Sequence, residues 1–230
     1  MNLTVRVIPH DFQLIVLDGA IEISRFPIAA ARYNWTPKLW SNDYRNPVGI
    51  YKVAQLHTGE SNILENMNSH FVPWYLSPTA RNPYEDAGYG VYGSSMIITD
   101  YPNKLDRRRY EKAKENGELL KQWHHFCENH LLPIYVHISQ EEGMPFAEVK
   151  VETDYGNLTY HDLLESFAIQ DSKIAFQLGV AIHGTNDPQC IGTSISAGCI
   201  RMNNDDIAKL IGMIEIGTEI EFEETGFYSM

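Results

Sequence analysis

Alternation of apolar and polar side chains predicts β-structure at the start of this chain. Residues 1–8 alternate like a strand, and residues 12–17 and 20–26 are two further β-like runs on either side of Asp18 and Gly19. Asp-Gly favours the positive φ angles of a two-residue type I′ turn, so these two runs are predicted to pair as a hairpin. The chain is therefore expected to open with one short strand and a hairpin.

Later segments contain both strand and helix patterns. Strands are predicted at 48–55, 95–99, 134–138, 147–152, 174–176, 180–182 and 216–222. Helices are predicted over 105–131 with a break at Gly117, over 160–168, and over 205–214 after a cap at Asn203 or Asn204. Residues 57–93 are rich in Asn, Pro, Gly and aromatic residues, which indicates long ordered loops.

These elements predict a mostly β protein with a few helices, α+β by helix content. We expect a single domain over residues 1–230, because no linker or repeat interrupts the pattern. The helices concentrate at about 108–170, and this segment is predicted to be an insertion.

Composition excludes several functions. The net charge of −12 argues against nucleic-acid or anionic-membrane partners, since both need basic patches. No apolar run approaches the roughly 18 residues that span a bilayer, so no transmembrane segment is predicted. The first residues lack the apolar segment of a signal peptide. Either the protein stays inside the cell or a leader has been removed.

The cysteines and histidines do not predict a disulfide framework or a metal site. Three cysteines are a small and odd number, which does not suit a disulfide framework. His124, His125, Cys127 and His130 share helical spacing, but they lack a well-spaced fourth ligand for zinc. A polar helix face is the favoured interpretation, and no metal or cofactor is predicted.

The chemistry points to residues 183–202. A cysteine attacks as its thiolate, and a nearby histidine can take the thiol proton. His183 ends an apolar strand, whereas Cys199 follows small residues that let the backbone turn tightly and present N–H groups to an oxyanion. Arg201 shares a face with Cys199 if the segment is extended, where it could bind a substrate carboxylate or brace the loop. Spacing alone leaves a catalytic and a structural role for Cys199 both open.

The surrounding residues resemble the signature of the L,D-transpeptidase catalytic domain (the YkuD or ErfK/YbiS/YcfS/YnhG family). The resemblance is carried by His183-Gly184-Thr185 and by Ser196-x-Gly198-Cys199-Ile200-Arg201-Met202. Weaker matches are Asn46-Pro47-Val48-Gly49-Ile50-Tyr51 and Tyr101-Pro102-Asn103-Lys104-Leu105-Asp106-Arg107. Two features depart from the family pattern. Ala197 stands where many members have His, and the segment 108–170 has no counterpart.

The resemblance implies a β-sandwich and a cysteine acyltransferase that acts on peptidoglycan stem peptides. Cys199 is implied to be the nucleophile and His183 its base. The attack would release D-Ala and leave a thioester, which an amine acceptor would resolve into a 3-3 cross-link. The family also implies a location in the cell envelope or periplasm and acylation by carbapenem-type inhibitors.

Supporting roles are predicted for five further residues. Gly198 and Ser196 are expected to support the oxyanion site and its loop. Arg201, Gly184 and Thr185 are expected to contact substrate. With water as the acceptor, the same Cys199 would make the protein an L,D-carboxypeptidase or another peptidoglycan hydrolase. A catalytically silent peptidoglycan-binding module is a third hypothesis, which the intact cysteine and histidine disfavour.

Overall fold

The computed structural model describes residues 2–32, 38–39, 43–58, 92–153, 156–165 and 180–224. Its strands are β1 (Leu3–Ile8), β2 (Gln13–Asp18), β3 (Ile21–Ala31), β4 (Gly49–Thr58), β5 (Ser95–Thr99), β6 (Val151–Thr153), β7 (Gly156–Leu158), β8 (Ala181–His183), β9 (Ser194–Ser196), β10 (Ile200–Met202) and β11 (Glu219–Phe222). Its α-helices are α1 (Lys104–Glu115), α2 (Glu118–Phe126), α3 (Leu132–Glu142), α4 (Tyr160–Glu165) and α5 (Asn204–Met213). A π-helical turn, Cys127–Leu131, connects α2 to α3.

The described residues belong to two compact units. The first contains the residues up to Arg107 and those from Val180 onward, and it holds all the strands except β6 and β7. The second lies within Arg108–Gln177 and contains α2, α3, α4 and the β6–β7 hairpin. Its buried side chains are mainly aromatic and aliphatic, and the indole of Trp123 donates a hydrogen bond to the Leu163 carbonyl at 3.3 Å. The arrangement of the chain as one domain with an insertion stays a prediction.

The sheet of the first unit closes on itself. Its strand order is β10-β8-β5-β4-β11-β1-β2-β3, with β9 added beside β3. Closure occurs at β10, which pairs in parallel with β8 and antiparallel with β3. Closing the ring removes the unpaired edges that an open sheet would leave. The expected mostly β class is confirmed, in the form of a barrel-like sheet.

The inward-facing residues of this sheet form the main core. Every strand of the ring places alternate side chains inside, as the period of a β-strand requires. Helix α5 adds Ile207 and Leu210 to the same core. The strand residues at its centre include Val5, Val7, Leu14, Val16, Ile28, Val53, Ile97, Ile182, Ile200 and Phe222, all almost fully buried.

The predicted hairpin is present with a different turn. Strands β2 and β3 pair from Asp18 opposite Ile21, so Gly19 and Ala20 form the loop. Gly19 has a φ of 60°, and Ala20 is not among the residues with positive φ. That pattern belongs to a type II′ turn, because a type I′ turn needs positive φ at both central residues and the Cβ of Ala20 disfavours it.

One predicted strand is wrong. Residues 134–138 lie in helix α3, which begins with Pro133 in its first turn and ends at Gly143, with a φ of 61°. A short run of apolar residues does not distinguish a strand from a buried helix, and here the proline and glycine at its ends decide. The predicted strand at 147–152 is also shifted, since Phe146–Glu148 is a 3₁₀ turn and β6 begins at Val151. The predicted strand at 174–176 and most of the predicted loops at 57–93 lie outside the described residues.

No membrane-crossing element is found in the part of the chain that the structure describes. Each helix in those ranges is too short or too polar to span a bilayer.

The two weaker sequence motifs meet in the fold and form part of its scaffold. The hydroxyl of Tyr51 donates to a carboxylate oxygen of buried Asp106 at 2.8 Å. The side-chain amide of Asn103 donates to the Ile50 carbonyl at 3.0 Å, and the rings of Tyr51 and Tyr101 lie 5.8 Å apart. These contacts tie β4 to the start of α1 and to the segment between β5 and α1.

Replacing Tyr51 with Phe should lower the free energy of unfolding by about 1–2 kcal/mol, because a buried carboxylate loses a hydrogen-bond donor. Denaturant unfolding of the variant measures this loss. Tyr160→Phe removes the same atom from a tyrosine whose hydroxyl makes no hydrogen bond to the described residues, and it should cost less. Equal losses in the two variants would argue against a specific role for the Tyr51–Asp106 contact.

Candidate active site

The pairing of β8 with β10 brings His183 and Cys199 to one face of the sheet. Ile182 and Ile200 are opposite each other and point into the core, so the residues before and after them face outward. Cys199 therefore lies at the level of Ala181, and Arg201 lies opposite His183. Adjacent strands are about 4.8 Å apart and rise about 3.3 Å per residue. The side chains of His183 and Cys199 can therefore approach each other, although the two residues are sixteen positions apart in sequence.

A small apolar patch surrounds the cysteine on this outer face. Met96 and Ala181 are buried, and Tyr92, Ile98 and Cys199 pack against them. The ring of Tyr92 also meets the His183 ring edge to face, with centroids 4.9 Å apart. These contacts restrict the side chains of both His183 and Cys199.

The His183 side chain is held in one tautomer. Its Nδ1 lies 2.6 Å from the Gly184 carbonyl oxygen, and a carbonyl can only accept, so Nδ1 carries the proton. In the neutral ring Nε2 then keeps its lone pair and can accept a proton. This is the form that a general base needs.

His183 is uncharged at neutral pH. Burial, together with a smaller effect of the nearby Arg201 cation, lowers the pKa of His183 to about 3, against an opposing effect of the Gly184 hydrogen bond. The side chain is only 3% exposed. An imidazolium formed here would therefore return its proton readily.

Cys199 is partly buried, and burial raises the pKa of its thiol. Three groups act in the opposite direction: a hydrogen bond from the Ala181 backbone and the positive charges of Lys38 and Arg201. The resting pair is therefore a neutral thiol beside a neutral imidazole. Such a pair reacts by transferring the thiol proton to histidine as sulfur attacks.

The residues Ser196–Cys199, here called the Cys199 loop, are held by contacts on several sides. The Ser196 hydroxyl donates to the Cys199 carbonyl and accepts from the Gly198 N–H at 3.1 Å. The amide of Asn46 donates to the Gly198 carbonyl at 3.0 Å. In a trans peptide the carbonyl and the following N–H point in opposite directions. The Cys199 N–H is thus directed away from Asn46, and these contacts do not use it.

In this arrangement, different residues serve the two roles predicted for the loop, which are loop support and oxyanion binding. Ser196 holds the loop through both of its hydrogen bonds. The Gly198 N–H is already bound to Ser196, whereas the Cys199 N–H can bind an oxyanion. Gly198 has a φ of 144°, a conformation that side chains rarely adopt. A Cβ there would lie 2.7 Å from the Lys38 ammonium, so the position also requires glycine for space.

Gly184 and Thr185 are engaged in loop contacts after β8. The side-chain oxygen of Asn204 accepts from the N–H groups of Thr185 and Ser94, each at 3.2 Å. A Cβ on Gly184 would lie 2.2 Å from this Asn204 oxygen, so glycine allows the close approach. The buried Thr185 hydroxyl accepts from the Asp187 N–H at 3.1 Å. Substrate contacts by Gly184 and Thr185 stay predictions.

Arg201 lies on the same outward face as Cys199, as the extended segment predicted. Its buried Nε has no hydrogen-bond partner among the described residues. A buried guanidinium donor without a partner is costly and suits a ligand carboxylate. Substrate binding by Arg201 stays a prediction.

Three residues that support the site were missed by sequence reasoning about chemistry. Asn46 and Lys38 contact the Cys199 loop, and Asn204 joins the loops before β5 and after β8. Asn46 is the first residue of the weaker family motif at 46–51, and Asn204 is predicted from sequence only as a helix cap. The helix cap is Asn203, which makes no side-chain capping hydrogen bond. Lys38 gave no signal.

The histidine cluster near Cys127 lies in the second unit. In the described ranges no group of three His, Cys, Asp or Glu side chains is arranged to hold a metal ion. Burial, reinforced by the negative charge of Glu128, raises the pKa of Cys127 to about 12. His130 packs against the Phe126 ring at 5.1 Å, and His125 contacts Asn129.

Comparison with known proteins identifies the family. Residues 4–222 match the model of the YkuD family, the L,D-transpeptidase catalytic domain, and the chain belongs to this family. Curated relatives include the putative L,D-transpeptidase YkuD of Bacillus subtilis, 49% identical over 39 residues, which is 17% of this chain and 24% of that protein. The probable L,D-transpeptidase ErfK/SrfK of Escherichia coli is 49% identical over 41 residues, 18% of this chain and 13% of that protein.

Among solved structures, the helical cell shape determining protein Pgp2 from Campylobacter jejuni is similar, with a TM-score of 0.46 and 16% identity. The similarity covers 97% of this chain and 48% of that one, so this chain spans about half the length of Pgp2.

The buried neutral His183 makes stability depend on pH. The pKa of His183 is about 3 in the folded protein, whereas its ordinary value is 6.5. Between these two pH values, unfolding is therefore accompanied by uptake of a proton. The stabilising effect is complete above pH 6.5 and decreases as the pH falls, by about 1.4 kcal/mol per pH unit. Between pH 7.5 and pH 5, denaturant unfolding should show about 2 kcal/mol less loss of stability for His183→Gln than for the wild type.

The control for this comparison is His124→Gln, at an exposed histidine of helix α2. This variant should keep the pH dependence of the wild type. If His183→Gln loses as much stability as the wild type on acidification, His183 is not the buried neutral group described here.

Proposed function

We propose that this chain is a cysteine-dependent L,D-transpeptidase that acts on peptidoglycan stem peptides and forms 3-3 cross-links. One observation carries the proposal. His183 and Cys199 lie on the same face of paired strands, and the Nδ1 hydrogen bond leaves Nε2 of His183 able to take a proton. Membership of the L,D-transpeptidase catalytic domain family supplies the substrate class.

The first half-reaction is acylation of Cys199. Nε2 of His183 takes the thiol proton as sulfur attacks the carbonyl carbon that precedes the terminal D-Ala. The oxyanion that forms accepts a hydrogen bond from the Cys199 N–H. The C–N bond then breaks, and the imidazolium gives its proton to the departing amine of D-Ala. A thioester and a neutral His183 remain.

The second half-reaction transfers the acyl group. The side-chain amine of a neighbouring stem attacks the thioester carbon, and His183 again takes a proton. Collapse of the tetrahedral intermediate breaks the C–S bond, and the thiolate recovers the proton from the imidazolium. With water in place of the amine, the same steps yield a tripeptide, which is the carboxypeptidase alternative. The low pKa of His183 favours both proton returns.

Arg201 is proposed to bind the carboxylate of the terminal D-Ala. Its Nε lacks a partner among the described residues, and it shares the outward face with Cys199. A guanidinium can hold a carboxylate through two parallel hydrogen bonds. This contact would select peptides that end in a free carboxylate.

The central test incubates the protein with disaccharide tetrapeptides that end in D-Ala and follows the products by mass spectrometry. Cross-linked dimers indicate the transpeptidase, and tripeptides alone indicate the carboxypeptidase. Cys199→Ala should abolish both products, whereas Cys190→Ala, at a buried cysteine with no proposed role, should keep them. Carbapenem treatment should add one drug mass to the wild type and to Cys190→Ala only. Binding of tetrapeptide with neither turnover nor a thioester adduct would identify a silent binding module.

The role of Arg201 is tested with matched substrates. Wild type should prefer a tetrapeptide with a terminal carboxylate over its D-alaninamide analogue by roughly 10- to 100-fold in kcat/KM, since a charged hydrogen bond is lost. Arg201→Met should lower kcat/KM for the carboxylate substrate and remove most of this preference. A preference of unchanged size in Arg201→Met would show that another group binds the carboxylate.

A further inference from the structure

A buried ion pair lies against the Cys199 loop. The ammonium of Lys38 donates to a carboxylate oxygen of Asp43 at 2.8 Å, and the two side chains are only 4% and 0% exposed. Asp43 also accepts the N–H groups of Leu39 at 2.7 Å and Arg45 at 3.1 Å. The carboxylate is therefore held by the backbone on either side of it, and it in turn fixes the lysine.

The Lys38 ammonium reaches the loop directly. Its Nζ lies 3.4 Å from the Ala197 carbonyl oxygen, and a Cβ on Gly198 would be 2.7 Å from it. Asn46 binds the next carbonyl along the chain, that of Gly198. Two consecutive carbonyls of the loop thus face the segment that contains Lys38 and Asn46.

This orientation matters for the N–H groups that follow. Because each trans peptide is planar, holding the Ala197 and Gly198 carbonyls turns the Gly198 and Cys199 N–H groups the other way. The Gly198 N–H meets Ser196, and the Cys199 N–H keeps the direction suited to an oxyanion. The lysine contact is therefore part of what sets the geometry of the loop.

The charge of Lys38 has a second effect. Burial by itself raises the pKa of the Cys199 thiol, and the Lys38 cation is one of the groups that oppose this rise. Arg201 is the other cation acting on the thiol, and His183 is neutral. A buried ion pair gives little net stability compared with apolar residues of similar size. The place of this ion pair against the Cys199 loop is better explained by the positive charge and the Ala197 contact that Lys38 provides there.

We propose that Lys38 is a positioning residue of the candidate active site: fixed by Asp43, its ammonium anchors the Ala197 carbonyl and places a buried positive charge next to Cys199. The inference rests on the function proposed above only in naming Cys199 as the nucleophile. The charge assists formation of the thiolate, while the contact orients the Cys199 N–H. Ala197 itself has no titratable side chain that could affect the Cys199 thiol.

The test measures the alkylation rate of Cys199 by iodoacetamide from pH 6 to pH 11, with the modified peptide identified by mass spectrometry. Lys38→Met combined with Asp43→Asn removes both charges together, so no buried charge is left unpaired. Its midpoint for alkylation should move up by about half a unit to one unit. Lys38→Arg keeps the cation and should restore the wild-type midpoint.

Two further variants separate charge from structure. Lys38→Gln keeps a donor for Asp43 and Ala197 but has no charge, and it should shift the midpoint in the same direction even if the doubly substituted protein does not fold. Lys209→Met removes an exposed lysine, paired with Asp206 on the surface, and should leave the midpoint unchanged. A folded neutral variant with the wild-type midpoint, as judged by thermal unfolding, would overturn the proposal.

Failure of this inference is distinguishable from failure of the proposed function, because alkylation needs no peptidoglycan. A shifted midpoint in a protein that never forms a thioester with tetrapeptides supports the role of Lys38 and contradicts the L,D-transpeptidase. Turnover of tetrapeptides with unshifted midpoints in the neutral variants gives the opposite result.

Discussion

The closure of the sheet at β10 is the constraint on which the candidate site depends. This three-residue strand pairs with β8 on one side and with β3 on the other, so its register is set twice. Ile200 and Met202 fill the core, which forces Cys199 and Arg201 to the outer face. A slip of one residue would turn Cys199 and Arg201 into the core and Ile200 and Met202 out of it, at the cost of both the core and the candidate site.

Two effects of burial act together at this outer face. Burial keeps both His183 and the Cys199 thiol uncharged, because neither charged form is well solvated there. The surrounding contacts then compensate selectively. The Gly184 carbonyl fixes the tautomer of the imidazole, while Lys38 and Arg201 favour the thiolate. Arg201 also disfavours the imidazolium form of His183. A proton taken up by His183 would therefore be held only briefly.

The supporting contacts join segments that are far apart in the chain. Asn46 and Gly198 are separated by 152 positions, Lys38 and Ala197 by 159, and Ser94 and Asn204 by 110. These contacts fix the loops of the candidate site to one another. All of these contacts join residues of the first unit.

The sequence by itself determined the β-rich class and the family, and it predicted His183 and Cys199 as the reactive pair, because these depend on alternation and on short motifs. Helix α3 was mistaken for a strand, since a short apolar run is ambiguous until its ends are considered. Only the tertiary structure decided that Lys38 and Asn46 hold the Cys199 loop and that Gly198 needs the space of a glycine. Such contacts depend on which distant strands pair, and no local pattern records that choice.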